Sequence, residues 1–146
     1  MAECSGDMPP SLSGLHGQAL FSVAFDNDTH QWVFIFTGER TLQVSSRWRL
    51  VSGQSIVLGS EDEGQRFGNG TDVDVKQRTE ALLKSNEVTA ATVGPFGDLA
   101  VRIGTDLTLQ VFNGSASYEG WQLFGPGHRH VVAQGGGRVV CSEDER

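Results

Sequence analysis

Apolar and polar residues alternate along most of this chain with the two-residue period of a strand. From Leu20 to Phe25, Phe21, Val23 and Phe25 fall on alternate positions, and Asp26-Asn27-Asp28 then supplies a turn before an apolar run from Gln31 to Phe36. The two runs read as a β-hairpin. In the second, Trp32, Phe34 and Phe36 share one face while Val33 and Ile35 share the other, the pattern of a central strand covered on both sides. Past a turn at Gly38, the signal continues through Thr41-Leu42-Gln43-Val44, Trp48 and Leu50 to Ser55-Ile56-Val57-Leu58, which predicts four strands before residue 59.

The period then changes. Residues 59–70 hold four glycines and the acidic triplet Glu61-Asp62-Glu63, so they form an exposed connection. Thr71 is placed to cap a helix over about 72–85, with Val75, Thr79, Leu82 and Leu83 on one face. Strand signals return in Val88–Val93, in Leu99, Val101 and Ile103, and in Leu107, Leu109 and Val111. Thr41-Leu42-Gln43-Val44 recurs 67 positions on as Thr108-Leu109-Gln110-Val111, and Trp48-Arg49-Leu50 has its counterpart 73 positions on in Trp121-Gln122-Leu123. The six-position difference marks an insertion in the second copy. The fold class is therefore mainly β: two packed antiparallel sheets or a partly open barrel, built from two similar β-meanders with one short helix between them. Residues 15–141 form one β-rich domain with halves 15–58 and 86–141. Residues 1–14, with Pro9-Pro10, and the acidic 142–146 read as tails.

Composition narrows the class of function. The 146 residues are 38% apolar and include 19 glycines, enough for one core. No apolar stretch is long enough to span a bilayer, and the first 30 residues lack a secretory signal, so a cytoplasmic protein is expected. Eleven basic against 18 acidic residues leave a net charge of −7, which disfavours nucleic acid and attracts a basic protein. Cys4 and Cys141 lie at opposite ends of the chain, so reduced thiols are expected unless the termini meet.

Reactive chemistry is sparse. His128 and His130 stand at i and i+2 on one strand face, but no third ligand accompanies them, so no metal is assigned. Glu119, between Tyr118 and Trp121, is the most suggestive acid and has no second carboxyl partner. There is no nucleophile elbow and no phosphate-cradling loop; Gly125-Pro126-Gly127 and Gly135-Gly136-Gly137 read as hairpin turns. The three sequons at Asn27, Asn69 and Asn113 also read as turns. A non-enzymatic protein without a cofactor is expected. In Arg47-Trp48-Arg49, strand alternation points the tryptophan inward and both arginines outward. The partner-contact candidates are Arg47, Arg49, Glu61, Asp62, Glu63, Tyr118 and Glu119. The alternative is a module that holds a small molecule or glycan in a cleft of Trp32, Trp48, Trp121 and Tyr118. The sequence leaves a homo-oligomer open.

The segment Tyr118-Glu119-Gly120-Trp121-Gln122-Leu123, followed by Gly125-Pro126-Gly127, Val131-Val132 and Gly135-Gly136-Gly137, resembles the C-terminal signature of a family of small uncharacterised bacterial proteins. Gly17-Gln18, Leu82-Leu83 and Gly97-Asp98-Leu99 are similar to that family's upstream order. The resemblance covers most of residues 15–140 and departs from the family near Cys141, where a terminal aromatic is common. Some such proteins are suspected of being immunity proteins. The resemblance thus implies an acidic binding protein that neutralises a cognate basic toxin.

Overall fold

The computed structural model describes residues 2–4, 10–66, 70–127 and 129–142. Among these the two-residue periodicity becomes twelve strands in two antiparallel sheets. In chain order they are β1 (Ala2–Glu3), β2 (Leu20–Asp26), β3 (Gln31–Phe36), β4 (Arg40–Val44), β5 (Trp48–Ser52) and β6 (Ser55–Gly59), then β7 (Val88–Val93), β8 (Leu99–Ile103), β9 (Leu107–Val111), β10 (Trp121–Phe124), β11 (His130–Ala133) and β12 (Val139–Ser142). The short helix α1 (Pro10–Ser13) precedes β2, and α2 (Val75–Leu83) precedes β7. One sheet runs β1-β12-β11-β10-β4-β3-β2 and the other β6-β5-β9-β8-β7, so the barrel alternative gives way to two open sheets.

The two halves interleave. Each begins with a three-stranded meander, β2-β3-β4 or β7-β8-β9, and then crosses to the opposite sheet to pair its next strand with the other half's meander. Thus Trp48 of β5 lies opposite Val111 of β9, and Trp121 of β10 lies opposite Val44 of β4; Leu50 faces Leu109 as Leu123 faces Leu42. The registers that the repeated sequence suggested are therefore reciprocal, and each half completes the other's sheet. Even the irregularities match: bulges fall between Leu20 and Ser22 in β2 and between Val88 and Ala90 in β7, 68 positions apart. Each helix packs on the other half's first strand, α1 on β7 and α2 on β2. Ala19 and Glu87, equivalent residues of the two halves, bridge to each other.

Interleaving puts one continuous core between the sheets. Phe34, Leu42, Trp48, Leu50, Val101, Leu109, Trp121 and Leu123 are almost wholly buried in it. Neither half could bury its inward faces alone, because the partner strands of each come from the other. Removing either indole, Trp48→Ala or Trp121→Ala, would cost about 3–5 kcal/mol.

Several expectations are corrected. Residues 48–58 form two strands rather than one, because Gly53, with φ +58°, allows a tight reversal. Phe21 is the extra residue of the β2 bulge and is thrown out to solvent, 77% exposed. Ile35 faces solvent on the outer side of β3, so that strand is fully covered on one face only. The helix cap is Asp74, whose carboxylate accepts from the Gln77 N–H at 3.0 Å, not Thr71. Residues 2–4 and 10–14, read as part of a tail, join the fold: β1 pairs with β12, and Leu12 is buried in the core. Residues 5–9 and 143–146 lie outside the described residues. The expected free thiols are a disulfide, Cys4–Cys141, with Cα atoms 5.1 Å apart, because β1 and β12 bring the two ends together. No helix of the described residues is long and apolar enough to cross a membrane.

Candidate binding cleft

Both crossovers between sheets, 45–47 and 112–120, lie at the same end of the sandwich. The Phe112 N–H donates to the Arg47 carbonyl at 3.0 Å and the Ser45 N–H to the Gly120 carbonyl at 2.9 Å, so the two crossovers are bonded side by side. The first spans three residues. The second carries the six-residue insertion, and that surplus is what builds a site.

An open cleft of about 1400 Å³ lies here. One wall is the β2–β3 turn with the adjoining strand ends, giving Phe25, Thr29, His30 and Trp32; the floor is Ser45, Ser46 and Arg47, with Ser60 and Glu61 from the 3-10 turn after β6. The other wall is the inserted loop, with Phe112, Ser115, Ser117, Tyr118 and Glu119. The Ser115 hydroxyl accepts from the N–H groups of Ser117 and Tyr118 at 3.0 and 2.9 Å. This local turn presents the Tyr118 ring to solvent, 78% exposed. The Asp26 carboxylate closes the opposite turn by accepting from the Asp28 N–H at 2.9 Å, which also holds its pKa below the usual carboxylate range.

Four of the seven contact candidates converge on the cleft: Arg47, Glu61, Tyr118 and Glu119. Arg47 Nε lies 2.9 Å from Glu61 Oε1 in a solvent-exposed pair that contributes little to stability. Arg49 stacks over Phe112 at 5.0 Å and donates to Gln110 Oε1 at 2.7 Å, bracing a wall from behind. Asp62 and Glu63 are turned to the backbone: Asp62 accepts from the Gly59 N–H and Glu63 from the Val75 N–H, each at 2.9 Å. These two carboxylates hold the connection rather than face the cleft. Nothing in the sequence pattern points to Phe25, His30 and Phe112 as cleft residues, although the surplus length of the second crossover marks the loop.

Of the tryptophans placed in an aromatic cleft, only Trp32 lines it; Trp48 and Trp121 are core residues. Trp32 meets Trp48 edge to face at 5.4 Å. His130 stacks on Phe124 at 4.3 Å, with Nε2 2.9 Å from Gln122 Oε1, and burial pushes its pKa down. His128 lies outside the described residues, and no cluster of three metal-ligating side chains exists among the described ones.

The opposite flank of the crossovers, where the β7–β8 turn stands as counterpart of the β2–β3 turn, is closed down. Asn113 Nδ2 donates to the Phe96 and Gln134 carbonyls at 3.0 and 3.1 Å, and the Asn113 N–H donates to Asp98 Oδ1 at 2.7 Å. Trp121 Nε1 donates to the Gly97 carbonyl at 2.7 Å. Gly135 packs directly on the Ser117 backbone, and Gly120 on the Asn113 side chain, approaches that no Cβ would permit. A shallow hollow of about 420 Å³ lies there. On the cleft side the equivalent indole Nε1, that of Trp48, is buried and has no partner among the described residues, and Ser46 replaces Asn113 with one bond, to the Gly120 carbonyl at 3.1 Å.

No match to a curated protein or to a solved structure was found. The sequence profile of a family of unknown function, DUF6188, matches residues 12–142, the stretch that holds both interleaved halves and the whole cleft, and the chain belongs to that family.

Proposed function

We propose that this chain is a non-enzymatic binding protein that seats a protruding segment of a basic protein in the cleft between its crossovers. The observation that carries this reading is the cleft itself: an open concavity too large for most single small ligands, with aromatic walls from Phe25, Trp32, Phe112 and Tyr118 and carboxylates at Glu61 and Glu119. The net charge of −7 favours encounter with a cationic surface. In its most specific form the reading makes the partner a toxin, neutralised by occlusion.

The test is co-purification with the product of the adjacent reading frame, followed by calorimetric titration of the wild type and Tyr118→Ala. A complex weakened at least tenfold by the substitution, a loss of about 1.4 kcal/mol or more, is expected for a central aromatic contact. No complex, with the neighbour's toxicity undiminished, counts against the reading. The same aromatic walls favour a second reading, a glycan ligand, which predicts a change in Trp32 emission on addition of oligosaccharide and no protein complex.

A further inference from the structure

The cleft wall formed by the β2–β3 turn has a closed twin in the same molecule. Trp32 and Leu99 are equivalent residues, because Trp32 pairs with Val44 and Leu99 with Val111, each residue of the second pair standing 67 positions beyond its counterpart. Two residues before them stand His30 and Gly97, both in the left-handed region, with φ +56° and +87°. The Gly97 carbonyl accepts from the Trp121 indole N–H and the Phe96 carbonyl from the Asn113 amide. Among the described residues the His30 carbonyl accepts no hydrogen bond, and the buried Trp48 indole N–H has no acceptor. A donor and an acceptor that bond to each other on the closed flank are both left over on the open one.

The two turns also differ in what holds them. Residues 24–30 are all exposed. The Asp26 carboxylate accepts from the Asp28 and Thr29 N–H groups at 2.9 and 3.4 Å, and no other hydrogen bond among the described residues joins residues 27–30 to another segment. The base is pinned, because Gln31 Nε2 donates to Ser45 Oγ at 2.9 Å. The β7–β8 turn is instead clasped by Asn113 and Trp121 and packed against Gly137. A tip bonded only to itself above a pinned base is a hinged segment.

We propose that the β2–β3 turn is a gate, which swings onto the crossovers until the His30 carbonyl accepts from Trp48 Nε1 in the geometry that Gly97 and Trp121 hold permanently. The inference rests on the reading of the cleft as a protein-binding site and adds the regulation of that site. Closure brings Phe25, Thr29 and His30 over the floor of Ser45, Ser46 and Arg47, so a protruding protein segment enters only the open state. Two residues keep the open state dominant. Ser46 stands where Asn113 clasps the closed turn, but its side chain is shorter and bonds the Gly120 carbonyl at 3.1 Å. Trp32, edge to face on Trp48 at 5.4 Å, is the bulkier counterpart of Leu99 and props the turn. The open state in turn carries a buried donor without an acceptor, and closing removes that cost, so the two states lie close enough for an occupant to choose between them.

The test is nuclear magnetic relaxation dispersion on the isotope-labelled full-length chain with no partner added. The amides of residues 27–30 and the Trp48 indole N–H are expected to share one exchange process, whose minor state moves the Trp48 signal downfield toward that of the hydrogen-bonded Trp121. Ser46→Asn restores the clasp and shifts the equilibrium about tenfold toward the closed state, with a matching loss of acrylamide quenching at Trp32. Trp48→Phe removes the donor and abolishes the exchange at residues 27–30, an effect that a turn moving for unrelated reasons would not show. Exchange that persists unchanged in Trp48→Phe, a minor state that leaves the Trp48 N–H signal in place or moves it upfield, or no response to Ser46→Asn overturns the proposal. The binding reading is tested separately by co-purification: a gate without a partner sinks that reading alone, and a partner without the exchange sinks the gate alone.

Discussion

The two flanks of the crossovers start from the same strand plan and end in opposite states. At one, Trp121 donates to the turn carbonyl of Gly97 and Asn113 ties three segments together; at the other, the indole N–H of Trp48 has no partner among the described residues and the turn at Thr29 and His30 stands away as a cleft wall. The closed flank is where the chain spends its hydrogen bonds. The open flank ties its segments together with fewer bonds and leaves the cleft, so two copies of one strand plan differ in how far each is drawn shut.

After loss of a core indole, the largest predicted effect tests what holds the extra strand that β11 carries and β6 lacks. Cys4→Ser with Cys141→Ser releases the link between β1 and β12, which closes nearly the whole chain, and lowers unfolding free energy by about 2–5 kcal/mol in denaturant titration. Little change would mean that β12 is held by its ladder alone. Next, Asn113→Ala strips partners from two backbone carbonyls and costs about 2–3 kcal/mol, whereas Ser46→Ala at the equivalent position costs about 1 kcal/mol or less. Equal losses would erase the distinction between the flanks.

A smaller contrast is expected between the indoles. Trp121→Phe costs about 1–3 kcal/mol by orphaning the Gly97 carbonyl, while Trp48→Phe, which removes an unpartnered N–H, costs less than its twin. The smallest effect is a pH dependence. Burial lowers the His130 pKa in the folded state, so the unfolded chain takes up the proton first on acidification. The associated stability is complete above the ordinary imidazole range near pH 6.5 and is lost as pH falls from there through the lower folded value. The equivalent position in the first half is Val57, which cannot titrate; His130→Gln should flatten the dependence of the denaturation midpoint between about pH 7.5 and 5.5.

Much of this fold is legible in single residues. Thr41-Leu42-Gln43-Val44 and its repeat identified β4 and β9, and the inward tryptophan of Arg47-Trp48-Arg49 followed from alternation. The alternation misplaces Phe21, because a bulge changes which face a residue occupies without changing the apolar pattern. Leu12 and Leu15 were hidden among prolines, serines and glycines, where two leucines give no period. The cleft is partly visible: the sequence points to Arg47, Glu61, Tyr118 and Glu119, and to Trp32 as an aromatic of a ligand cleft, but Phe25 and Phe112 carry signals indistinguishable from those of core aromatics.

The sequence by itself determined the strand periods, the short helix between the halves, the two similar halves and the six-residue surplus in one of them, because these depend on local spacing and side-chain polarity. Only the tertiary structure decided that the halves exchange hairpins, that the two cysteines meet, and that the surplus loop faces an open turn. Those outcomes depend on which strand edges find each other in space, and β4 could have been completed by β5 as readily, in sequence terms, as by β10.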